Sequence, residues 1–221
     1  GDHRDLHRVD RRQRQMCIRD RSFRKITEIE QGWHQTILLK LLSCSVKEII
    51  FGQSKDISFD TFEMSWQQYM KMAINKTSPF IALPMMGMFK CRECSVDECD
   101  GLKEATNYLG LSYQYLNDVE NLVGINQEIF TDIYKNHPNG MLIKILGKLD
   151  RESKQKIKED PKLLINHIDR ESFKEQKINI NNLLKDAKQQ FHRVPRVVQP
   201  VLNSIKDEIN SRLESLMVDK Q

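Results

Sequence analysis

The sequence predicts an all-α protein built as a bundle of antiparallel helices, and three observations support this fold class. Apolar residues recur at helical spacing through most of the chain after the first 21 positions, beginning with Ile26, Ile29 and Trp33. Helix-ending residues such as Gly124 and Pro161 divide this periodic sequence into segments. No run alternates as a β-strand would, so helices must pack on helices around one core.

The periodicity assigns the helices in order. They are predicted over about 22–52, from Ser58 or Asp60 to Met72, over 78–89, 102–123, 141–149 and 180–192, and after Val194-Pro195-Arg196. Pro84 predicts a kink or break in the third helix, because proline cannot donate the helical hydrogen bond. Residues 90–101 are predicted to form a loop, and the charge-rich segment 151–177 is predicted to form short surface helices.

Charge and hydropathy exclude two classes of function. The net charge is +4, but seven arginines and four aspartates lie in residues 1–21, so the rest is close to neutral. Neutral, interspersed charge is typical of a solvated surface, and no nucleic-acid partner is expected. The longest apolar run, Pro79 to Phe89, is shorter than the roughly 20 residues that cross a bilayer. No apolar signal region is visible near the N-terminus, so we expect a cytoplasmic protein.

Residues 1–21 look foreign to the rest of the chain. Their last six residues, Met16-Cys17-Ile18-Arg19-Asp20-Arg21, correspond to a translated frame of a sequencing-library adapter. The residues before them show no apolar periodicity. A natural basic arm is the alternative. We expect 1–21 to be a non-native segment and 22–221 to be the C-terminal part of a domain whose N-terminal helices are missing.

A polar cluster on the fourth predicted helix is a candidate metal site. Asn121 follows Asn117 by four residues and Asp118 by three, so the three side chains are expected on one helix face, whereas Glu120 points mostly elsewhere. Mg²⁺ prefers oxygen ligands and is usually shared between one or two carboxylates and substrate phosphates. An ordinary polar helix face is the alternative.

The order of several short motifs resembles one enzyme family. Gly110-Leu111-Ser112-Tyr113-Gln114, followed by the polar cluster at 117–121, resembles the Gly-x-x-(Phe/Tyr)-Gln-x-x-Asp-Asp-x-x-Asp block of trans-isoprenyl diphosphate synthases. Upstream, Lys76-Thr77 resembles the Lys-Thr pair of that family, and Gly52-Gln53-Ser54-Lys55-Asp56-Ile57 resembles its Gly-Gln-x-x-Asp element. The resemblance covers about residues 25–217, and the ordered set is more specific than any one motif.

The resemblance implies roles for individual residues. The catalytic residues would be Lys76, Thr77 and Gln114, and the substrate-binding residues would be Gln53, Asp56, Lys76 and Lys135. His137 could align in place of Lys135. The Mg²⁺ ligands would be Asp118, Asn117 and Asn121. The implied substrates are an allylic diphosphate and isopentenyl diphosphate, and the intact protein would be a homodimer or heterodimer.

Two departures from the family pattern bear on activity. Asparagine replaces aspartate at positions 117 and 121, and no first aspartate-rich motif precedes Gly52. We therefore expect a truncated prenyl transferase that is inactive on its own. The alternatives are a non-catalytic regulatory subunit that pairs with an active synthase, and a class I terpene cyclase, which shares the fold but lacks the Lys-Thr and Gly-Gln-x-x-Asp patterns.

A group of cysteines offers a second, weaker metal candidate. Cys91, Cys94 and Cys99 have a spacing that partly resembles a zinc site, but a paired fourth ligand is lacking. The alternative is a set of reduced thiols on a surface loop.

Overall fold

The structure is a computed structural model that describes residues 24–30, 32–123, 137–168 and 170–218. These ranges are mainly helical and contain no strand, which confirms the predicted all-α class. The predicted non-native segment 1–21 lies outside them. The helices are α1 (Gly32–Ser58), α2 (Trp66–Cys91), α3 (Val96–Val123), α4 (Gly140–Gly147), α5 (Arg151–Glu159), α6 (Arg170–Gln190) and α7 (Gln199–Val218), with 3₁₀ turns at Pro161–His167 and Phe191–Arg193.

Helix α3 lies at the centre of the bundle and contacts α2, α4, α6 and α7, while α1 packs on α2. Short connections join α1 to α2 and α2 to α3, so these neighbours run antiparallel. Near the start of α3, Asp97 contacts Arg193, which follows α6. Near its other end, Tyr115 donates a hydrogen bond to Gln176 in the first half of α6. Helices α3 and α6 are therefore antiparallel as well.

Helix α2 begins later than the sequence predicts. Ser58 is the last residue of α1, and Asp60 lies in the connection, so neither caps α2. Instead the Ser65 hydroxyl accepts from the Gln68 amide at 3.3 Å, and the Gln68 side chain accepts from the Ser65 amide at 2.8 Å. This capping box satisfies two N–H groups that have no partner within the helix, which explains why the helix begins there.

The prediction of one helix that ends at Met72 and a separate helix over 78–89 is wrong, and Pro84 does not break the helix. One helix runs through both Pro79 and Pro84. Each proline removes one N–H donor, but residues before and after them, including Met72 and Phe89, are buried in the core. Tertiary packing of this apolar helix outweighs its unfavourable local propensity.

Two further boundaries differ from the prediction. Helix α3 begins at Val96, so most of the predicted loop 90–101 is helical, because Ser95 and Glu98 form a second pair of reciprocal capping hydrogen bonds. Helix α6 begins at Arg170 rather than near Ile180. Only α5 and the 3₁₀ turn after it match the short surface helices predicted for 151–177.

The turn between α2 and α3 contains a strained residue. Among the described residues, Glu93 is the non-glycine residue with positive φ, at 53°. We expect Glu93→Gly to raise the free energy of unfolding by about 0.5–1 kcal/mol, since glycine adopts this conformation without a Cβ clash. Urea denaturation measures the change. The control is Arg92→Gly, where φ is −100°; it should lower stability, and equal effects of both variants would contradict the prediction.

Candidate functional site

An ion pair joins the first two helices at the candidate site. The Lys76 ammonium on α2 lies 2.8 Å from the Asp56 carboxylate on α1. Both side chains are largely shielded, with relative exposures of 21% for Lys76 and 13% for Asp56. A pair at this depth is screened by solvent less than a surface pair, so the position of the ammonium is well defined.

A chain of hydrogen bonds continues from α2 to α3. The Thr77 hydroxyl, next to Lys76 in sequence, lies 3.5 Å from the Gln114 amide oxygen. The Gln114 amide nitrogen donates to the Asp118 carboxylate at 2.9 Å. The structure therefore brings together Asp56, Lys76, Thr77, Gln114 and Asp118, which the sequence predicts to share one site.

Asp118 is more buried than a metal ligand at a solvent-open site would be. Its side chain is 4% exposed, and it accepts hydrogen bonds from the Tyr69 hydroxyl at 2.6 Å and from the Gly140 amide at 2.7 Å. Burial, reinforced by the Asp118 charge, raises the pKa of Tyr69 well above its usual value, so the phenol keeps its proton. Sequence reasoning missed Tyr69, although it precedes Lys76 by seven residues and so shares its helix face.

Asn117 and Asn121, which lie close to Asp118 in sequence, do not share its hydrogen-bond partners. The Asn117 oxygen accepts from the Arg212 guanidinium at 2.7 Å, and Glu120 accepts from the same group at 3.1 Å. Glu120 therefore lies beside Asn117, contrary to the prediction that it points elsewhere. The Asn121 oxygen is buried and has no hydrogen-bond partner in the described structure.

These three residues do not fit a Mg²⁺ ion. Mg²⁺ requires near-octahedral oxygen ligands that converge on one point. Here the Asp118 carboxylate is held by protein donors, and the Asn117 oxygen faces a guanidinium, which repels a dication. In the described ranges, no three His, Cys, Asp or Glu side chains form a group that could hold a metal ion. Cys91, Cys94 and Cys99 do not form such a group in the described structure.

The other predicted site residues are Gln53 and Lys135, with His137 as the alternative to Lys135. Gln53 is partly buried, three residues before Asp56 on α1. Lys135 lies outside the described residues. His137, its alternative, has its Nδ1 atom 3.5 Å from the Asp56 backbone oxygen, and its own carbonyl accepts from Thr61 at 2.8 Å.

Two glycines let the three helices approach closely at this site. A Cβ on Gly52 would lie 2.6 Å from the Lys76 backbone nitrogen, and a Cβ on Gly110 would lie 2.9 Å from the Ser78 backbone. Real Cβ atoms do not approach so closely. Glycine at these positions therefore sets the distances between α1, α2 and α3, and with them the positions of Asp56, Lys76 and Gln114.

An apolar cavity of about 470 Å³ lies between the other ends of α1 and α2. Its lining includes Leu38, Leu41, Leu83, Pro84 and Gly87. Gly87 follows Lys76 by eleven residues, which is about 16 Å along a helix. The same pair of helices thus carries an ionic site and, further along, an apolar one.

No helix in the described ranges is both long and apolar enough to cross a membrane.

Comparisons with known proteins indicate a family. A family model described as polyprenyl synthetase matches residues 16–197. A short chain isoprenyl diphosphate synthase from Methanocaldococcus jannaschii is 24% identical over 143 residues, which are 63% of this chain and 44% of that protein. The chain therefore spans less than half the length of this relative.

Two solved structures are similar in fold. A decaprenyl diphosphate synthase from Rhodobacter capsulatus has a TM-score of 0.68 at 13% identity, covering 81% of this chain and 60% of that one. A geranylgeranyl pyrophosphate synthetase from Pyrococcus horikoshii has a TM-score of 0.68 at 18% identity, covering 85% of this chain and 62% of that one. At these identities the likeness concerns the fold.

Proposed function

The chain belongs to the polyprenyl synthetase family, and we propose that it is part of a prenyl transferase that condenses isopentenyl diphosphate with an allylic diphosphate. The observation that carries the proposal is the convergence of the Asp56–Lys76 ion pair with the Thr77–Gln114 contact. These residues come from three helices, and each belongs to a motif that resembles the family pattern. The relatives are synthases, so they do not favour the alternative of a non-catalytic subunit.

The distribution of polarity along α1 and α2 supports an amphiphilic substrate. The Lys76 ammonium, which is paired with Asp56, lies near the middle of α2, and the cavity toward the Cys91 end of that helix is lined mainly by aliphatic side chains. A diphosphate bound at Lys76 would direct its hydrocarbon tail along the helices toward Leu83 and Gly87. Burial of such a tail contributes about 0.8 kcal/mol per methylene.

The proposed chemistry begins with cleavage of the allylic carbon–oxygen bond, whose electron pair leaves with the diphosphate. Lys76 would stabilise the growing negative charge on this leaving group. The Thr77 hydroxyl oxygen and the Gln114 amide oxygen would present the negative ends of their dipoles to the allylic cation. The double bond of isopentenyl diphosphate then attacks that cation, a carbon–carbon bond forms, and a proton is lost from the new adduct. Exclusion of water protects the cation.

Magnesium is proposed for the intact enzyme on the strength of the family resemblance. It would neutralise diphosphate charge during bond cleavage. Residues 117, 118 and 121 do not fit the ion, and the proposed chemistry above uses only Lys76, Thr77 and Gln114. A dimeric state and a cytoplasmic location belong to the same proposal.

Binding of farnesyl diphosphate to the 221-residue chain tests the proposal. We expect saturable binding measured by calorimetry, with Lys76→Met weakening the affinity at least about tenfold because a charged contact to the diphosphate is lost. Lys71→Met on the exposed side of α2 is the matched control and should change the affinity by less than about twofold. We also expect no elongated product after addition of isopentenyl diphosphate and Mg²⁺.

The outcomes separate the parts of the proposal. Absence of farnesyl diphosphate binding to the wild-type chain, or an equal loss in both lysine variants, would contradict the assigned site. Measurable turnover by this chain would show that a first aspartate-rich motif is dispensable. Farnesol, which lacks the diphosphate, should bind no differently to the Lys76→Met variant and the wild type.

A further inference from the structure

The Asp118 carboxylate accepts three hydrogen bonds from other parts of the protein. The donors are the Tyr69 hydroxyl, the Gln114 amide and the Gly140 amide, at distances from 2.6 to 2.9 Å. Gly140 is the first residue of α4, so the carboxylate lies at the positive end of that helix. The Asn139 side chain also donates to the Asp118 backbone oxygen at 3.0 Å. This is the environment of a structural anion enclosed by protein donors.

The contact with Asp118 determines which end of the Gln114 amide faces the site. A side-chain amide has a donor nitrogen and an acceptor oxygen on opposite branches of one planar group. The nitrogen of Gln114 is bound to Asp118, so its oxygen is directed at Thr77, 3.5 Å away. Rotation of the amide by 180° would place an oxygen against the carboxylate, which is repulsive. A carboxylate at position 118 therefore fixes the amide orientation.

The Tyr69 hydroxyl in turn holds the Asp118 carboxylate in position. Tyr69 is fully buried, and its ring packs against Trp66 with the ring centroids 5.1 Å apart. A Cβ on Gly140 would lie 2.5 Å from the Tyr69 ring, so α4 closes on the ring from another side. The hydroxyl has little freedom to leave Asp118 because its ring is enclosed.

We propose that Tyr69 and Asp118 are positioning residues, which hold the Gln114 amide oxygen toward Thr77 and the reacting allylic carbon. Asp118 therefore acts through Gln114 and not as a metal ligand. The inference rests on the proposed function for its catalytic consequence. The orientation of the amide is a property of the free chain and can be measured separately. A dipole fixed before the reaction stabilises developing positive charge without the cost of reorientation.

Tyr69→Phe tests this inference, with Tyr115→Phe as the matched control. Both tyrosines are fully buried in one aromatic cluster, but the Tyr115 hydroxyl donates to Gln176 rather than to Asp118. The first readout is the pair of side-chain amide proton resonances of Gln114 in ¹⁵N-labelled protein, assigned by their loss in Gln114→Leu. We expect Tyr69→Phe to shift these resonances and accelerate their exchange with water, and Tyr115→Phe to leave them unchanged.

The second readout is the affinity for farnesyl diphosphate. Because the Gln114 dipole acts on the developing cation and not on the intact substrate, both variants should bind farnesyl diphosphate within about twofold of the wild type. An unchanged Gln114 signature in Tyr69→Phe would overturn the inference, as would equal shifts in both variants. The wild-type chain could bind no allylic diphosphate while the Gln114 amide resonances still respond as expected. That result would support the positioning role of Tyr69 and Asp118 and contradict the proposed function. Asp118→Asn supplies a third variant, which should also alter the Gln114 resonances.

Discussion

Replacing Gly52 with alanine is expected to lower the free energy of unfolding by about 2 kcal/mol. The new Cβ would lie 2.6 Å from the Lys76 nitrogen and 2.9 Å from both the Asn75 carbonyl carbon and the Lys76 Cα. All three are backbone atoms, so no side-chain rotation relieves the contact and α1 must move away from α2. Because backbone must move, we expect this overpacking to cost about 3 kcal/mol, and the better helix propensity of alanine offsets about 1 kcal/mol of that cost.

Urea denaturation of Gly52→Ala and Gly147→Ala provides the comparison. Gly147 is the last residue of α4, and a Cβ there would meet nothing within 4 Å. Its substitution should leave stability unchanged or raise it by less than about 1 kcal/mol. The affinity for farnesyl diphosphate should fall in Gly52→Ala alone, because Asp56 and Lys76 separate when α1 moves. A Gly52→Ala chain as stable as the wild type would show that the two helices are not in close contact.

Replacing Asp118 with alanine should be the most damaging single change, at about 3–5 kcal/mol. The substitution leaves the Tyr69 hydroxyl, the Gly140 amide and the Gln114 amide without their acceptor in a buried region. Each such donor costs about 1–3 kcal/mol, and partial relaxation keeps the total below the sum. A metal ligand at an open site behaves differently, since its removal relieves repulsion between exposed oxygens and leaves stability unchanged or increased.

The sign of the stability change therefore decides between the two roles of Asp118. Thermal denaturation measures it, with Asp118→Asn as a milder variant in case Asp118→Ala does not fold. Asp100→Ala, an exposed acidic residue on the same helix, is the control and should change stability by less than about 0.5 kcal/mol. A stabilised Asp118→Ala chain would contradict both the structural role and the positioning inference.

Local rules predict much of this molecule, and the differences have identifiable causes. Helical periodicity predicts the fold class, and the resemblance of the ordered motifs to a family pattern implies that Lys76, Thr77 and Gln114 share one site. The starts of α2 and α3 could also have been predicted, because Ser65 with Gln68 and Ser95 with Glu98 have capping-box spacing. The predicted end near Met72 failed because packing on both sides carries α2 through its prolines.

The environment of Asp118 could not be predicted from spacing along α3. Its partners Tyr69 and Gly140 precede and follow it by 49 and 22 residues, and they meet it only after α2 and α4 have packed. Spacing predicts which side chains share a helix face, but the neighbouring helices decide whether that face is open. The contact of Asn117 with Arg212 could not be predicted for the same reason, because Arg212 belongs to α7.

The two prolines of α2 have a consequence for hydrogen exchange. Pro79 and Pro84 have no amide proton, so the carbonyls of Asn75 and Phe80 lack their usual helical partners and fewer bonds oppose opening there. The half of α2 before this weak point carries the ionic site, and the half after it lines the apolar cavity. We therefore expect the amides of residues 85–91 to exchange with solvent faster than those of residues 66–77.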